Sequence, residues 1–248
     1  MQNFDFSLIL TCSINPKNMP DLVRSDKDLR LSDYKKSFQF WLKLKQVKKI
    51  IMIENTGYDL DYFREIALKY TNKEIEIISS KSNETFDKKL GKGYGQYLCL
   101  KEIFEKSQIA KNTNYFIDVT GRHIIKNFKK IHDEIILEQP DIYLNLTDNL
   151  KFADTNIYGG SKIFFEKFVI PETQKTNDYK NNIFEKCVAK ATLKALTDGL
   201  VLSSIPTYAE IEGYIGTNGK KYKQNLFKKI KLLIYRSCKN YFFKHKKY

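Results

Sequence analysis

Lys88-Lys89-Leu90-Gly91-Lys92-Gly93-Tyr94-Gly95 stands just before an amphipathic stretch, and three glycines at alternate positions let a backbone approach a ligand closely. A helix start offers free N–H groups, and Lys88, Lys89 and Lys92 add positive charge, which together suit a pyrophosphate. The segment is neither a G-K-[ST] phosphate loop nor a GxGxxG fingerprint after a first strand, and a basic, Gly-rich helix entry without a ligand explains it equally well. A second group closes an apolar run in Tyr115-Phe116-Ile117-Asp118-Val119-Thr120-Gly121-Arg122, bringing a carboxylate, a hydroxyl and a guanidinium to one strand end. Asp118 could hold a Mn²⁺ or Mg²⁺ that neutralises a diphosphate leaving group, and Arg122 could grip the phosphates directly. The alternative is that Asp118 caps a turn and Arg122 pairs with it. A lone aspartate is not a DxD motif, so metal use stays open.

Other candidates are polar residues at the ends of apolar runs. Thr11 and Ser13 end the first, while Glu54 and Asn55 carry donors and acceptors able to read a base or ribose, although they also make an ordinary strand-ending turn. Glu210 and Glu212 lie in a loop with three glycines, Gly213, Gly216 and Gly219, and Asp154 lies in a polar loop ahead of another apolar run. Each could remove a proton from an acceptor hydroxyl, with Glu212 preferred.

The elements that must position these groups follow from periodicity. Phe6–Ile14, Lys49–Glu54, Glu74–Ser79 and Asn114–Val119 read as strands, separated by helical spacing over Ser32–Val47, Asp59–Tyr70 and Gly95–Lys106. That alternation implies a mostly parallel, Rossmann-like sheet flanked by helices, with ligands at the strands' carboxyl ends. Further on, Asp141–Leu146 and Lys162–Val169 read as strands, with Pro171 ending the second. Ile183–Leu200 reads as a helix and Ser203–Gly219 as a loop.

The formal net charge of +14 is unevenly placed, because residues 213–248 hold 11 Lys and Arg and no acid, leaving only +3 before them. Leu226, Phe227, Ile230, Leu233, Ile234 and Tyr241 recur there at helical spacing among lysines, the pattern of a basic amphipathic helix lying on an anionic membrane surface. The division expected is a catalytic domain over 1–219 and a membrane-associating tail over 220–248. A non-enzymatic single-stranded nucleic-acid binder using the aromatic, Lys-rich tail is the rival reading, disfavoured by the nearly neutral body, so no nucleic-acid partner is expected. The opening apolar run is short and lacks a basic segment before it, which reads as a buried strand and a cytoplasmic protein. The four cysteines and three histidines show no metal-binding spacing, so reduced thiols are expected.

Taken together, LILTCSI (8–14), Arg30-Leu31-Ser32-Asp33-Tyr34, IENTGYD (53–59), GKGYGQ (91–96), YFIDVTGRHIIKN (115–127), FADTNIYGGSKIFFEKF (152–168) and IEGYIGTNGKKY (211–222) resemble a family of small bacterial glycosyltransferases encoded with O-antigen and capsular polysaccharide genes. The likeness spans nearly the whole chain, with the TGR and IEG pieces the most specific. It implies a GT-A-like fold and transfer of a sugar from a nucleotide-diphosphate sugar to a lipid-linked glycan of capsule, O-antigen or lipooligosaccharide, at the inner face of the cytoplasmic membrane. Within that reading Thr11, Ser13, Glu54, Asn55, Lys89, Gly91, Lys92, Gly93, Thr120, Gly121 and Arg122 bind the donor, and Asp118, Asp154 and Glu212 serve catalysis. A lysine often stands in the family where Asp118 is found here, which bears on metal use. An arginine often replaces Asn156, which bears on donor or acceptor contacts.

Overall fold

The computed structural model describes residues 4–204 and 209–222, with isolated positions 230 and 234. The four segments read as strands become parallel strands, β1 (Ser7–Cys12), β2 (Lys49–Glu54), β3 (Glu74–Ser79) and β4 (Tyr115–Thr120), paired in the order β3-β2-β1-β4. Between them lie α1 (Lys27–Lys43), α2 (Asp61–Ala67), α3 (Lys92–Lys106) and the single turn α4 (Gln108–Lys111). The expected β-α-β-α-β-α-β order therefore holds.

Alternate residues of β1 feed two cores, as the period of a strand requires. Leu8 and Leu10 join Phe38 and Trp41 of α1 and Phe63 of α2, whereas Ile9 joins Leu100 and Ile103 of α3 on the other face. Helices thus cover both faces of a sheet whose strands are nearly continuous apolar runs. Helix α1 begins earlier than the expected Ser32 because Asp26 caps it, its carboxylate accepting from the amides of Asp28 (3.0 Å) and Leu29 (2.8 Å).

Beyond β4 the order departs from the sequence reading. After β5 (Ile124–Ile125), α5 (Phe128–Glu138), β6 (Ile142–Tyr143), β7 (Leu146–Thr147) and β8 (Phe152–Ala153), the next sheet strand is β9 (Ile157–Ser161). It runs antiparallel between β4 and β6. Lys162–Val169, expected as a strand, is helical: a π-helical segment over Phe164–Val169 runs without a break into α6 (Ile170–Thr173), so that Pro171 lies within a helical run instead of ending a strand. The strand falls instead on a stretch containing two glycines, because side chains there would collide with the neighbouring strand. A methyl on Gly159 would lie 2.7 Å from Phe116 O, and one on Gly160 2.7 Å from Asp141 O.

Helix α7 (Phe184–Thr197) leads to β10 (Leu202–Ser203), which closes the seven-stranded sheet β10-β6-β9-β4-β1-β2-β3. In the region read as a loop, β11 (Ile211–Glu212) pairs antiparallel with β5. The chain stays with the body past Gly219: Tyr214 bridges Lys221, and the Tyr222 amide donates to Gly213 O at 3.1 Å. Most of the basic tail lies outside the described residues. Among those described, Cys12, Cys99 and Cys187 are free and buried, and no helix is long and apolar enough to cross a membrane.

Candidate active site

In an open α/β sheet, ligands bind beyond the strand carboxyl ends where the strand order reverses, here between β1 and β4. A cavity of about 510 Å³ opens at that point. From the α1 side of the sheet it is lined by Ser13, Arg30, Tyr34 and Arg122, and from the α3 and α7 side by Gln96, Asp154, Asp178 and Glu185.

The α1 side is built around two guanidinium groups. Buried Arg30 is spent on structure: Nε donates to Ser13 O (2.6 Å), one terminal nitrogen to Arg24 O (3.0 Å) and the other to the Tyr34 hydroxyl (3.0 Å). The same hydroxyl accepts from the Ser13 amide at 2.9 Å, so Arg30 and Tyr34, one helical turn apart, fix the loop after β1. Arg122 is the opposite case. Its Nε is buried without a hydrogen-bond partner, and among the described residues it forms no ion pair. Burial pushes its pKa down, with Arg30 adding to that push. An unpaired guanidinium facing a cavity calls for an anion. Beside it His123, buried and next to Arg122, is pushed down to about 3 and stays neutral.

The α3 and α7 side is acidic. Asp178 lies against the α3 start: a methyl on Gly91 (φ +84°) would come 2.0 Å from its Oδ2. Burial raises the Asp178 pKa, against the pull of Lys92 and of the Gly93 and Lys92 amides. Asp154 Oδ1 accepts from the Asn156 side-chain amide at 2.7 Å, and Asn156 in turn accepts from the Tyr222 hydroxyl at 2.7 Å. Glu185, in the first turn of α7, is raised by burial, against a hydrogen bond from its own amide and the nearby Lys92, with Asp178 and Asp154 raising it further.

Of the residues expected to bind a donor, Thr11, Ser13, Asn55, Lys92, Gly93, Thr120 and Arg122 reach the cavity. Asn55 does so together with Asn83, and each carries a buried Oδ1 without a partner. Glu54 does not. Its carboxylate accepts from the amides of Ile14, Thr56 and Tyr58, each at 2.9 Å, so it fastens the loop after β1 to the turn after β2. Lys89 is exposed away from the cavity. Gly91 and Gly93 serve packing, since methyls there would strike Asp178 and, at 2.9 Å, both Phe184 Cβ and Thr176 Cγ2. Gly121 likewise lets β4 end against β1, a methyl coming 2.6 Å from Thr11 O. The α3 start expected to cradle a pyrophosphate is thus already faced by a carboxylate.

Among the catalytic candidates, Asp154 lines the cavity while Asp118 and Glu212 do not. Asp118 is 1% exposed, with Gln96 Nε2 donating to it at 3.4 Å from the cavity side. Burial lifts it to about 7, against the opposing influence of the Tyr158 hydroxyl and Gln96. One buried carboxyl screened from the cavity does not suit a divalent cation, and among the described residues no three His, Cys, Asp or Glu gather to hold one. Glu212 is fastened to Lys36 and, at 2.8 Å, to Lys126, which together hold its pKa down to about 2. So weak a base, outside the cavity, does not fit the role expected for it.

Sequence reasoning missed Arg30, Tyr34, Asn83, Gln96, Asp178 and Glu185 as cavity residues. The i, i+4 spacing of Arg30 and Tyr34 on an apolar helix face was a usable signal, whereas nothing local marks Asp178 or Glu185.

The fold and the place of the cavity define a GT-A-like architecture, a mostly parallel sheet flanked by helices with one antiparallel strand beside β4. No protein-family model and no curated protein matches the chain. Among solved structures it is similar to a Bacillus anthracis protein described as a glucose-1-phosphate thymidylyltransferase, solved in complex with sucrose, at 11% identity over 84% of this chain and 89% of that one, with a TM-score of 0.50. A cytidylyltransferase from Leptospira borgpetersenii aligns at 12% identity over 96% and 87% of the two chains (TM-score 0.46). S. aureus TarS 1–349 in complex with UDP aligns at 11% over 96% and 72% (TM-score 0.46).

Proposed function

We propose that the protein is a glycosyltransferase that takes a sugar from a nucleotide-diphosphate donor. The observation that carries this reading is Arg122: a guanidinium with a buried, unpartnered Nε, lining a cavity large enough for a nucleotide sugar at the sheet's reversal point. Its planar fork would hold the diphosphate and stabilise the charge that grows on it as the sugar leaves. The unpartnered carboxamide oxygens of Asn55 and Asn83 would accept hydrogen bonds from the nucleoside, and Thr11, Ser13 and Thr120 would supply hydroxyls nearby.

The wider context is proposed on the resemblance and the charge distribution. The acceptor would be a lipid-linked surface glycan, and the basic tail would draw the enzyme to the cytoplasmic face of an anionic membrane, leaving the body as the catalytic unit. Mn²⁺ or Mg²⁺ would then have to be held chiefly by the donor's own phosphates, since Asp118 is screened from the cavity.

A second reading is favoured by the TM-score of 0.50 with the thymidylyltransferase-like protein: transfer of a nucleotide onto a sugar phosphate. Against it, no glycine-rich signature follows β1 in Ile14–Met19. One experiment separates the two. UDP-, GDP-, CMP- and dTDP-sugars are screened by thermal shift with and without Mn²⁺ or Mg²⁺, followed by assay of the released product. A nucleoside phosphate released from a stabilising donor supports the glycosyltransferase, whereas pyrophosphate released from a nucleoside triphosphate and a sugar phosphate supports the nucleotidyltransferase.

A further inference from the structure

Two stretches far apart in sequence meet at Arg122. One is the end of β4, and the other is the turn Ile215–Gly219, which lines the cavity through Ile215, Gly216 and Thr217. Gly216 is buried, and a methyl on it would lie 3.0 Å from Arg122 Nη2 and 3.4 Å from Nη1, so its backbone rests against the terminal nitrogens of the guanidinium. The body fastens this turn by itself. The Gly216 carbonyl accepts from the Arg24 amide at 3.2 Å, while the Ile215 amide donates to Lys220 O and the Gly219 amide to Ile215 O, both at 2.8 Å. Tyr214 lies 3.8 Å from the Arg24 guanidinium, which Asp33 grips through two bonds at 2.6 and 2.9 Å. These bonds occupy the carbonyls of Ile215 and Gly216, whereas the amides of Gly216 and Thr217 donate to nothing among the described residues. The Ile215–Gly216 peptide is trans, with its carbonyl turned to the Gly219 amide, so the Gly216 N–H on the opposite edge points away from the turn. Thr217 is exposed and water can serve its amide, but a buried amide without an acceptor is rare in a folded protein. Gly216 N–H and Arg122 Nε are thus two donors without an acceptor on neighbouring groups of one cavity wall. Asp33, the acid whose charge Arg122 feels, is held by Arg24 and does not fill the gap.

We propose that Gly216 is a binding residue for the donor's diphosphate: its amide and the Arg122 guanidinium grip one anion between them, and only a residue without a side chain lets the backbone come so close. The inference rests on the nucleotide-diphosphate donor proposed above. A diphosphate presents several oxygens, more than one planar fork can satisfy, and a backbone amide adds a donor without adding a second positive charge to desolvate. The chemistry of the 211–222 segment then lies in its backbone and not in Glu212, whose carboxylate is fastened to Lys36 and Lys126.

The test uses the full-length protein and the free diphosphates UDP, GDP, CDP and dTDP, titrated by calorimetry. Gly216→Ala is expected to weaken the diphosphate that binds wild type by about 10-fold or more, the size of a lost hydrogen bond to a charged group. Its melting temperature without ligand should stay near wild type, because the methyl meets the movable end of the Arg122 side chain, whereas a merely structural role would lower it. The amide itself can be watched, since Gly216 alone among the 11 glycines follows an isoleucine. Isotope labels on the isoleucine carbonyl and the glycine nitrogen therefore single out one resonance, which should move downfield as the diphosphate binds and stay nearly fixed with the parent nucleoside. A Gly216→Ala protein that binds the diphosphate as wild type does overturns the proposal, and so does a resonance that stays fixed while the diphosphate saturates the wild-type protein. If the variant does not fold, the resonance decides alone. A wild-type protein that binds none of the four diphosphates overturns the donor reading and the proposal with it, whereas binding with a fixed resonance overturns the proposal and leaves the donor reading standing.

Discussion

The two sides of the cavity use charge in opposite ways. On the α1 side every acid near the guanidinium groups is committed elsewhere: Asp33 is paired with Arg24 at 2.6 Å, and Glu54 is saturated by amides. Arg122 is left without a counter-ion. On the α3 and α7 side, Lys92 is the cation felt by Asp178 and Glu185, so negative charge is in excess. A buried charge without a partner costs free energy that a folded protein retains only where something else repays it, and here the two excesses have opposite sign. Under the proposed reaction the contrast gives a direction: the anionic leaving group would lie on the Arg122 side and the acceptor hydroxyl on the acidic one.

The largest expected effect breaks the cationic side. Arg122→Ala should abolish the donor-induced melting shift and lower transfer by more than about 100-fold, because the growing charge on the leaving group loses its clamp. Melting without donor should stay near wild type, since the lost guanidinium makes no ion pair among the described residues. Arg122→Lys should restore little, an ammonium being unable to offer two parallel donors to a diphosphate. A variant that keeps the shift would mean that the anion binds elsewhere and that the two sides do not divide the work.

The next effect concerns the acidic side's attachment to α3. Gly91→Ala should cost about 2–3 kcal/mol in denaturant melts, from a φ of +84° that favours glycine and from the collision with Asp178. Asp178→Ala removes the collision but not the backbone cost. The double variant should therefore be less destabilised than the sum of the singles, by about 1 kcal/mol or more. Simple additivity would show that Asp178 does not rest on the α3 start in solution.

Much of this contrast was hidden from the sequence for identifiable reasons. The edge strand β3 was legible from the alternation of EIEIIS, and the other three parallel strands, β1, β2 and β4, were legible because they are buried on both faces and read as apolar runs. Arg122 was legible because it follows such a run directly. The apolar run after Lys162 contains Ile163, Phe164, Phe165, Phe168 and Val169, which satisfy a strand or a buried helix alike. Gly159 and Gly160 disguise β9 because their value lies in what a methyl would strike across the sheet. Glu54 looked like a ligand-reading residue, and only the long-range bond to the Ile14 amide shows it to be spent. Asp178 and Glu185 carry no local mark at all. An acid in the first turn of a helix is an ordinary response to the helix dipole, and its place in a cavity with Asp154 is a property of the fold.

Asp118 gives a smaller effect that lies between the two sides, and its sign follows from its surroundings. Its folded pKa, about 7, stands above the ordinary 3.8, so the folded state binds the proton more tightly than the unfolded chain. The stability it contributes is complete below the ordinary value and is lost as pH rises through the folded one, a change of up to about 4 kcal/mol. Relative to wild type, Asp118→Asn should therefore gain stability as pH rises from 4 to 7, read as melting temperatures on a pH series. Parallel curves for the two proteins would show that the carboxyl titrates normally and is reached by water.

Glu212→Gln should do least, and its smallness is informative because Glu212 was the acid that the sequence favoured as base. Held down to about 2 by Lys126 and Lys36, Glu212 contributes stability present above the ordinary glutamate value and lost as pH falls through that low value. Its side chain is 34% exposed and both partners are more so, which limits the contribution at neutral pH to about 1 kcal/mol or less. Transfer by Glu212→Gln should stay within about two-fold of wild type, because the β5–β11 pairing also holds the segment through backbone hydrogen bonds and the carboxylate does not line the cavity. A loss as large as that expected for Arg122→Ala would return the base to the 211–222 segment. It would also undo the assignment of the acceptor to the α3 and α7 side, since Glu212 is reached from α1 by Lys36.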